Sequence, residues 1–142
     1  MTTNRGSNTD MKRCKLTVVR GLPGSGKSTY AKTHYNCLIL ENDMFHMKNG
    51  EYRWTATKMN DAINWCVSMA TIAISNGMDV VICNTFTKKA FVDSYKKIAD
   101  ILNADFEVVR CTGDYGNIHD VPQNVLTSMR ESFEDYEGEV LV

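Results

Sequence analysis

The chain has 142 residues, of which 43% are hydrophobic and 23% charged, and its formal net charge is −1. This length predicts one domain with its own core and leaves no room for a second domain. The balanced charge and a pI near 6.3 argue against tight, sequence-indifferent binding of nucleic acid through bulk electrostatics. Residues 1–11 are polar and predicted to be disordered, so the domain is expected to span 12–142.

The first predicted element is a strand that leads into a phosphate-binding loop and a helix. The run Leu16–Arg20 is followed by Gly21–Thr29, which reads Gly-Leu-Pro-Gly-Ser-Gly-Lys-Ser-Thr, and by the helix-compatible stretch Thr29–His34. Glycines let such a loop turn tightly, so that successive backbone N–H groups surround a phosphate and the helix N-terminus adds partial positive charge. A glycine-rich turn in an unrelated loop is the alternative, and the lysine and serine argue against it.

The loop residues predict a site for a nucleoside triphosphate. Lys27 is expected to reach the β- and γ-phosphates of ATP, and the Ser28 hydroxyl is expected to ligate Mg²⁺. The full set expected to bind ATP is Gly24, Ser25, Gly26, Lys27, Ser28 and Thr29. ATP and Mg²⁺ are therefore the predicted cofactors.

A short second strand, Cys37–Glu41, is followed by Asp43 and His46. Ligands of parallel sheets bind beyond the carboxyl ends of the strands, which places Asp43 beside the phosphate loop. A carboxylate there can take the proton from an attacking hydroxyl, so Asp43 is the predicted general base, with capping of the turn as the alternative. His46 is a candidate for contacting the acceptor or its phosphate, with a surface or core role as the alternative.

The middle of the chain predicts a helix, a strand and a second helix. Apolar residues at helical spacing mark Thr55–Asn76, and a second apolar stripe indicates that this helix is buried on two sides. The apolar run Asp79–Asn84 predicts a third strand, and Lys88–Leu102 carries another helical stripe. Asn84 stands where many P-loop ATPases carry a metal-binding acid. Asn84 and Thr85 can hydrogen-bond an acceptor, or they can simply form the turn.

The last third predicts a fourth strand, Phe106–Cys111, a polar loop over 112–120 and a helix that begins at Pro122. This helix is expected to place an apolar stripe on one face, made of Val125, Met129, Phe133 and Tyr136. Strands that alternate with helices predict a single α/β domain of the P-loop NTPase type, with a mostly parallel sheet and helices on both faces.

The predicted loop over 112–120 has the length of a short lid but contains no arginine or lysine. Kinases usually bring such a cation over the transferring phosphate, where it neutralises developing charge. Arg110 and Arg130 are the nearest candidates, and Arg130 is the predicted catalytic cation. An exposed pairing of Arg130 with Glu134 is its alternative role, and Lys88 and Lys89 are a weaker pair.

The five cysteines are scattered, without the close spacing of a metal site or a disulfide framework. No signal peptide and no apolar run of membrane-spanning length is present in the sequence. These features predict a cytoplasmic protein without a membrane partner. No protein partner can be inferred from the sequence.

These motifs together resemble the kinase domain of phage polynucleotide 5′-kinase and the small ATP-binding P-loop proteins related to it. The resemblance rests on the phosphate loop, the Asn42-Asp43 turn, the Cys83-Asn84-Thr85 strand end and the Val121-Pro122 helix start. It covers Lys15 to Tyr136. The segments 50–54 and 117–122 are similar to the small ATP-binding P-loop proteins of this comparison.

The resemblance implies that Lys27 and Ser28 serve phosphate and Mg²⁺, and that Asp43 acts on the acceptor hydroxyl. His46 stands where the polynucleotide kinase has an arginine for the substrate phosphate, and Asn84 stands where it has an aspartate. The expected function is ATP-dependent transfer of the γ-phosphate to a polynucleotide 5′-hydroxyl or a related nucleoside or nucleotide hydroxyl. A small-molecule kinase and a nucleotide-binding regulator with little turnover are the alternatives.

Overall fold

The structure of the protein is a computed structural model that describes residues 13–42, 44, 47–48, 51–52, 59–116 and 121–142. Two of the predicted site residues, Asp43 and His46, lie outside the described residues. So do residues 1–11, for which disorder was predicted, and the end of the predicted lid, residues 117–120.

The strands of the main sheet alternate with helices along the chain, as the apolar pattern predicts, and two short strands are added between the second strand and the second helix. The strands are β1 (Lys15–Arg20), β2 (Leu38–Glu41), β3 (Met47–Lys48), β4 (Glu51–Tyr52), β5 (Val80–Asn84), β6 (Asp105–Arg110) and β7 (Val140–Leu141). The helices are α1 (Lys27–His34), α2 (Met59–Ser75), α3 (Lys89–Ile101) and α4 (Gln123–Ser132). Within the described ranges, no helix is long and apolar enough to cross a bilayer.

Five strands form one sheet in the order β2-β5-β1-β6-β7, and every neighbouring pair is parallel. The expectation of a mostly parallel sheet is therefore confirmed, and the sheet is parallel throughout. Because β1 lies between β5 and β6, the loop after β1 leaves the sheet at its centre. The strands β3 and β4 pair separately as a short antiparallel hairpin.

Two apolar cores lie on the two faces of the sheet, because alternate residues of each strand point to opposite faces. On one face α2 and α3 cover Leu16, Val18 and Ile82. On the other face Ala31 of α1 packs against Val19, Val81 and other strand residues. Helices on both faces, as predicted, leave the carboxyl edge of the sheet as the place where loops can form a site.

The structure corrects several predicted boundaries. The last helix ends at Ser132, so Phe133 and Tyr136 lie beyond it, and α4 contributes no fully buried side chain. Burial of the long helix on two sides is only partial, since Ile72 is 55% exposed. The edge strand β7 was not predicted; it extends the sheet beside β6.

Candidate nucleotide site

The phosphate loop has the backbone conformation that its glycines permit. Gly24 and Gly26 have φ angles of +79° and +93°, which side-chain-bearing residues rarely adopt. A Cβ at Gly24 would also collide with the carbonyl oxygen of Gly116. Gly26 is the N-cap of α1 and offers no capping side chain, so a bound anion can take the N–H groups of the first turn.

The loop is tied to the strands on both sides of β1. The Gly21 N–H donates to the Thr85 carbonyl oxygen at 3.3 Å, and the Cys111 N–H donates to the Arg20 carbonyl oxygen at 2.8 Å. Thr85 therefore reaches the phosphate loop through its backbone. These bonds fix where the loop leaves the sheet, so the phosphate hollow is held by β5 and β6 as well as by β1.

Lys27, predicted to reach the phosphates, lies over the loop itself. Its Nζ donates to the carbonyl oxygens of Gly21 and Leu22 at 3.1 and 3.0 Å. The amine is therefore held at the mouth of the hollow, where a nucleotide phosphate can compete for its protons. Thr29 is exposed in the first turn of α1, whereas Ser25 is buried and its hydroxyl has no hydrogen-bond partner within the described structure.

Ser28 contacts a carboxylate that the sequence reasoning did not select. Its hydroxyl donates to Oε1 of Glu41 at 2.8 Å, and both residues are half-buried. Glu41 is the last residue of β2 and lies beside Cys83 of β5. A carboxylate at the carboxyl end of a predicted strand was the signal that could have identified it.

Asn84, at the end of β5, is paired with the turn that follows β2. Its Oδ1 accepts the backbone N–H of Asn42 at 2.8 Å, and its Nδ2 donates to Oδ1 of Asn42 at 3.2 Å. This reciprocal pair favours the structural alternative for Asn84 over contact with an acceptor. It also fixes the backbone of Asn42, the residue between Glu41 and Asp43.

The segment after β6 folds onto the phosphate loop. The Tyr115 N–H donates to the Gly24 carbonyl oxygen at 2.7 Å, and the Tyr115 ring lies against the backbone at Gly26. The side chain is nevertheless 77% exposed. The described part of the predicted lid, residues 112–116, thus borders the phosphate hollow without bringing a cation to it.

A fully buried arginine underlies the loop and was also missed. Arg20, the last residue of β1, donates from Nε and Nη2 to the Phe86 carbonyl oxygen at 3.1 and 2.6 Å. Its Nη2 also donates to the Glu134 carbonyl oxygen, and its Nη1 pairs with Glu139 at 2.8 Å. Arg20 therefore binds the segment after α4 to the base of the phosphate loop.

Arg110, one candidate for the phosphate-neutralising cation, is part of the same network. Its guanidinium pairs with Asp135 and Glu139 and lies 4.4 Å from the Phe133 ring centroid, while Arg20 lies 4.3 Å from it. Burial lowers the pKa of Arg110, but the hydrogen bonds that its guanidinium donates to these carboxylates, together with their charges, outweigh burial and raise the pKa above its ordinary value. A guanidinium so paired is not available to neutralise a nucleotide phosphate.

Arg130 lies in the last turn of α4 and is exposed. Among the described residues, its side chain has no hydrogen-bond or ion-pair partner. The alternative role that pairs it with Glu134 is wrong, because α4 ends before residue 134 and Oε1 of Glu134 accepts the Lys89 backbone N–H at 2.8 Å. The Lys88 Nζ donates to the Ser132 carbonyl oxygen at 3.3 Å. Arg130 thus remains the candidate cation.

Two thiols near the site are held in the neutral form. Burial, with the Glu41 charge as a further cause, raises the pKa of Cys83 and of Cys66 to about 12. They act as small apolar side chains in the two cores. Over the described ranges, no three His, Cys, Asp or Glu side chains are placed to share a metal ion.

Sequence comparison finds a family and a bacterial relative. The sequence profile of a family described as an AAA domain matches residues 16–118. An uncharacterized protein of Pasteurella multocida is 28% identical, and the match covers 80% of this chain and 73% of that protein.

Structural comparison finds chains with the same architecture. A sugar kinase from a Janibacter species matches with a TM-score of 0.65 and 16% identity, over 91% of this chain and 84% of that one. Kti12 of Chaetomium thermophilum, solved with ADP-AlF3, matches with a TM-score of 0.66 and 14% identity. The match covers 89% of this chain and 88% of Kti12. A chain of the Pnkp1/Rnl/Hen1 RNA repair complex matches with a TM-score of 0.60 and 21% identity. The match covers 88% of this chain but only 39% of that one. This chain therefore shares its α/β fold with these proteins.

Proposed function

Because the chain belongs to the AAA domain family, we propose that it is an ATP-dependent phosphotransferase that moves the γ-phosphate of ATP to a hydroxyl acceptor. One observation carries the proposal: Lys27 lies over a glycine loop with an uncapped helix N-terminus, and Ser28 of the same loop contacts a carboxylate. Backbone N–H groups, a lysine and a hydroxyl beside an acid are the groups that a nucleoside triphosphate with its cation requires.

The loop residues would bind and orient the nucleotide. The N–H groups around Gly24 and Gly26 would hold the phosphates, and Lys27 would exchange its two carbonyl contacts for phosphate oxygens. Mg²⁺, when bound, neutralises phosphate charge and orients the leaving group. The Ser28 hydroxyl fits this ion because it is an oxygen donor beside a carboxylate, the ligand types that Mg²⁺ prefers.

Asp43 is proposed to act on the acceptor. It would take the proton of the attacking hydroxyl while the new oxygen–phosphorus bond forms and the bond from the γ-phosphorus to the bridging oxygen of ADP breaks. The Asn42–Asn84 pair supports this role because it fixes the backbone just before Asp43. Arg130 would contribute positive charge near the transferring or acceptor phosphate.

A polynucleotide 5′-hydroxyl, or a related nucleoside or nucleotide hydroxyl, is the first acceptor proposed. It is supported by the motif resemblance and by the structural likeness to a chain of an RNA repair complex. A small-molecule hydroxyl is the second candidate. The ion pairs of Arg110 favour it, because they remove a cation that the phosphates of a polynucleotide would otherwise contact.

Transfer from γ-labelled ATP to a panel of acceptors tests the proposal. The panel contains 5′-hydroxyl RNA and DNA oligonucleotides, nucleosides and simple sugars, and Lys27→Ala serves as the inactive variant. Lys32→Ala, an exposed lysine of the same helix, is the matched control and should keep wild-type transfer. ATP binding without transfer to any acceptor would indicate a nucleotide-binding regulator with little turnover instead of a kinase. Phosphate transfer by Lys27→Ala would contradict the assignment of the phosphate loop.

A further inference from the structure

The site has its carboxylate on an unexpected strand. β5 ends in Asn84, whose amide is taken up by Asn42, and Asp79 precedes the opposite end of the same strand. The acid that contacts the loop hydroxyl is Glu41, at the end of β2, one strand further from β1. β5, which neighbours the strand that leads into the phosphate loop, thus ends in an amide. β2, one strand further out, ends in the carboxylate.

We propose that Glu41 supplies the carboxylate of the Mg²⁺ site and that Asn84 is a positioning residue that holds the turn after Glu41. This inference rests on the proposed function, because it needs a nucleotide with its cation at the loop. It assigns the acid to β2 and gives β5 an amide, Asn84, at the position where an acidic residue would otherwise serve the ion.

The spacing of the two oxygens carries the inference. Mg²⁺ demands octahedral geometry with bonds near 2.0–2.1 Å, so two adjacent ligand oxygens stand about 2.9 Å apart. Ser28 Oγ and Glu41 Oε1 are 2.8 Å apart. The two oxygens can therefore keep this separation as neighbouring ligands of one cation, while the Ser28 hydroxyl keeps its hydrogen and turns it away from Glu41.

The Asn84–Asn42 pair accounts for how Glu41 is held there. Asn84 engages both the backbone N–H and the side-chain oxygen of Asn42, which directly follows Glu41. Ladder bonds between β2 and β5 fix Glu41 beside Cys83 from the other direction. The backbone is thus constrained on both sides of the carboxylate, and groups that constrain a ligand typically affect metal affinity about 10- to 100-fold.

Calorimetric titration of ATP, in Mg²⁺ buffer and in EDTA buffer, tests the assignment through the ratio of the two dissociation constants. In Glu41→Gln the side chain keeps its shape and can still accept from Ser28, but it loses its charge. We expect the Mg²⁺-dependent gain in affinity to fall about tenfold or more relative to wild type. Affinity in EDTA should be unchanged or higher, since a negative charge near the phosphates is removed.

Glu107→Gln is the matched control, because Glu107 lies on β6 and its carboxylate contacts Lys15 and Tyr35, which are outside the phosphate loop. Its ratio should equal that of wild type. Asn84→Ala should also reduce the Mg²⁺-dependent gain in ATP affinity, with little change in the affinity measured in EDTA. If Asn84 were purely structural, its replacement would lower the melting temperature and leave this gain unchanged. Should Glu41→Gln not fold, Asn84→Ala carries the test.

The outcomes separate this inference from the proposed function. An Mg²⁺-dependent gain in ATP affinity that is as large in Glu41→Gln as in wild type, or larger, overturns the assignment of Glu41. Lower turnover of Glu41→Gln with an unchanged ratio would make Glu41 a proton acceptor and would also overturn the metal assignment. If the wild-type protein binds ATP in neither buffer, the proposed function itself fails.

Discussion

At the scale of single residues, Asp43 is the side chain on which the chemical step should depend most directly. Asp43→Asn is expected to lower the transfer rate by about 10²–10⁴, the usual effect of losing a general base. ATP affinity should change little, because the phosphates are held by the loop. Single-turnover kinetics together with calorimetric ATP titration measure both quantities.

The matched control for Asp43 is Asp100→Asn, which changes an exposed carboxylate on α3 that pairs with Lys96. It should transfer phosphate at the wild-type rate. Loss of ATP binding together with turnover in Asp43→Asn would show that this carboxylate serves the metal or the backbone rather than the acceptor proton.

Arg130 is the second residue whose replacement should affect turnover. It is exposed in the last turn of α4 and makes no ion pair among the described residues, so its charge is available to a substrate. Arg130→Ala is expected to slow transfer about a hundredfold, which corresponds to roughly 2.7 kcal/mol of transition-state stabilisation. Lys97→Ala, an exposed cation on α3, is the control, and a change below about threefold would remove Arg130 from the site.

At the scale of elements, the segment after α4 stabilises the domain through one buried ion pair. Glu139 is 7% exposed and pairs with the fully buried Arg20. Glu139→Ala would leave the guanidinium buried without its partner, which typically costs about 3–5 kcal/mol of unfolding free energy. Urea denaturation measures this loss.

Glu137→Ala is the control for that prediction, since Glu137 is an exposed carboxylate two residues away. It should unfold at nearly the wild-type urea concentration. A loss below about 1 kcal/mol in Glu139→Ala would mean that water enters and solvates Arg20, in the range measured for surface pairs.

The phosphate loop and its flanking elements were predictable because their determinants are local. The whole motif lies within nine consecutive residues, Gly21–Thr29, and the strand before it is a continuous apolar run. The site partners were harder to predict. Asn42 and Asn84 are 42 positions apart, and only the pairing of β2 with β5 brings them together. No local pattern in either asparagine distinguishes a reciprocal pair from two separate turns.

The elements missed by sequence reasoning are the shortest ones. β7 has two residues, Val140 and Leu141, and both are exposed, so neither length nor burial periodicity marks a strand. Its pairing with β6 is assisted by contacts from outside the strand, including the bond from the Thr112 N–H to the Val142 carbonyl oxygen at 2.9 Å. Hairpin β3–β4 likewise consists of two-residue strands.

At the scale of the whole molecule, the buried thiols predict how stability depends on pH. Burial raises the pKa of Cys66 and Cys83 to about 12 from an ordinary value near 9. Above pH 9 the unfolded chain loses these protons while the folded chain keeps them, so unfolding free energy should fall as pH rises from 9 towards 12. The maximum slope is about 1.4 kcal/mol per pH unit for each thiol.

Urea denaturation at several pH values between 7 and 11 measures this dependence. Cys66→Ala and Cys83→Ala should each flatten the decline, although each also lowers stability at pH 7 by leaving a small cavity. A decline that begins only above pH 10 would assign the effect to tyrosines instead, such as Tyr136, whose pKa is raised to about 12 by burial and by Asp93.

The central place of β1 in the sheet has a consequence for amide hydrogen exchange. Its backbone is bonded to β5 on one side and β6 on the other, whereas β7 is a two-residue edge. Amides in such a central strand exchange only when the whole domain opens, and those at an edge exchange through local fraying. The strand that carries the phosphate loop therefore belongs to the slowest-exchanging unit of the protein, and the amides of the β7 edge should exchange faster than those of β1.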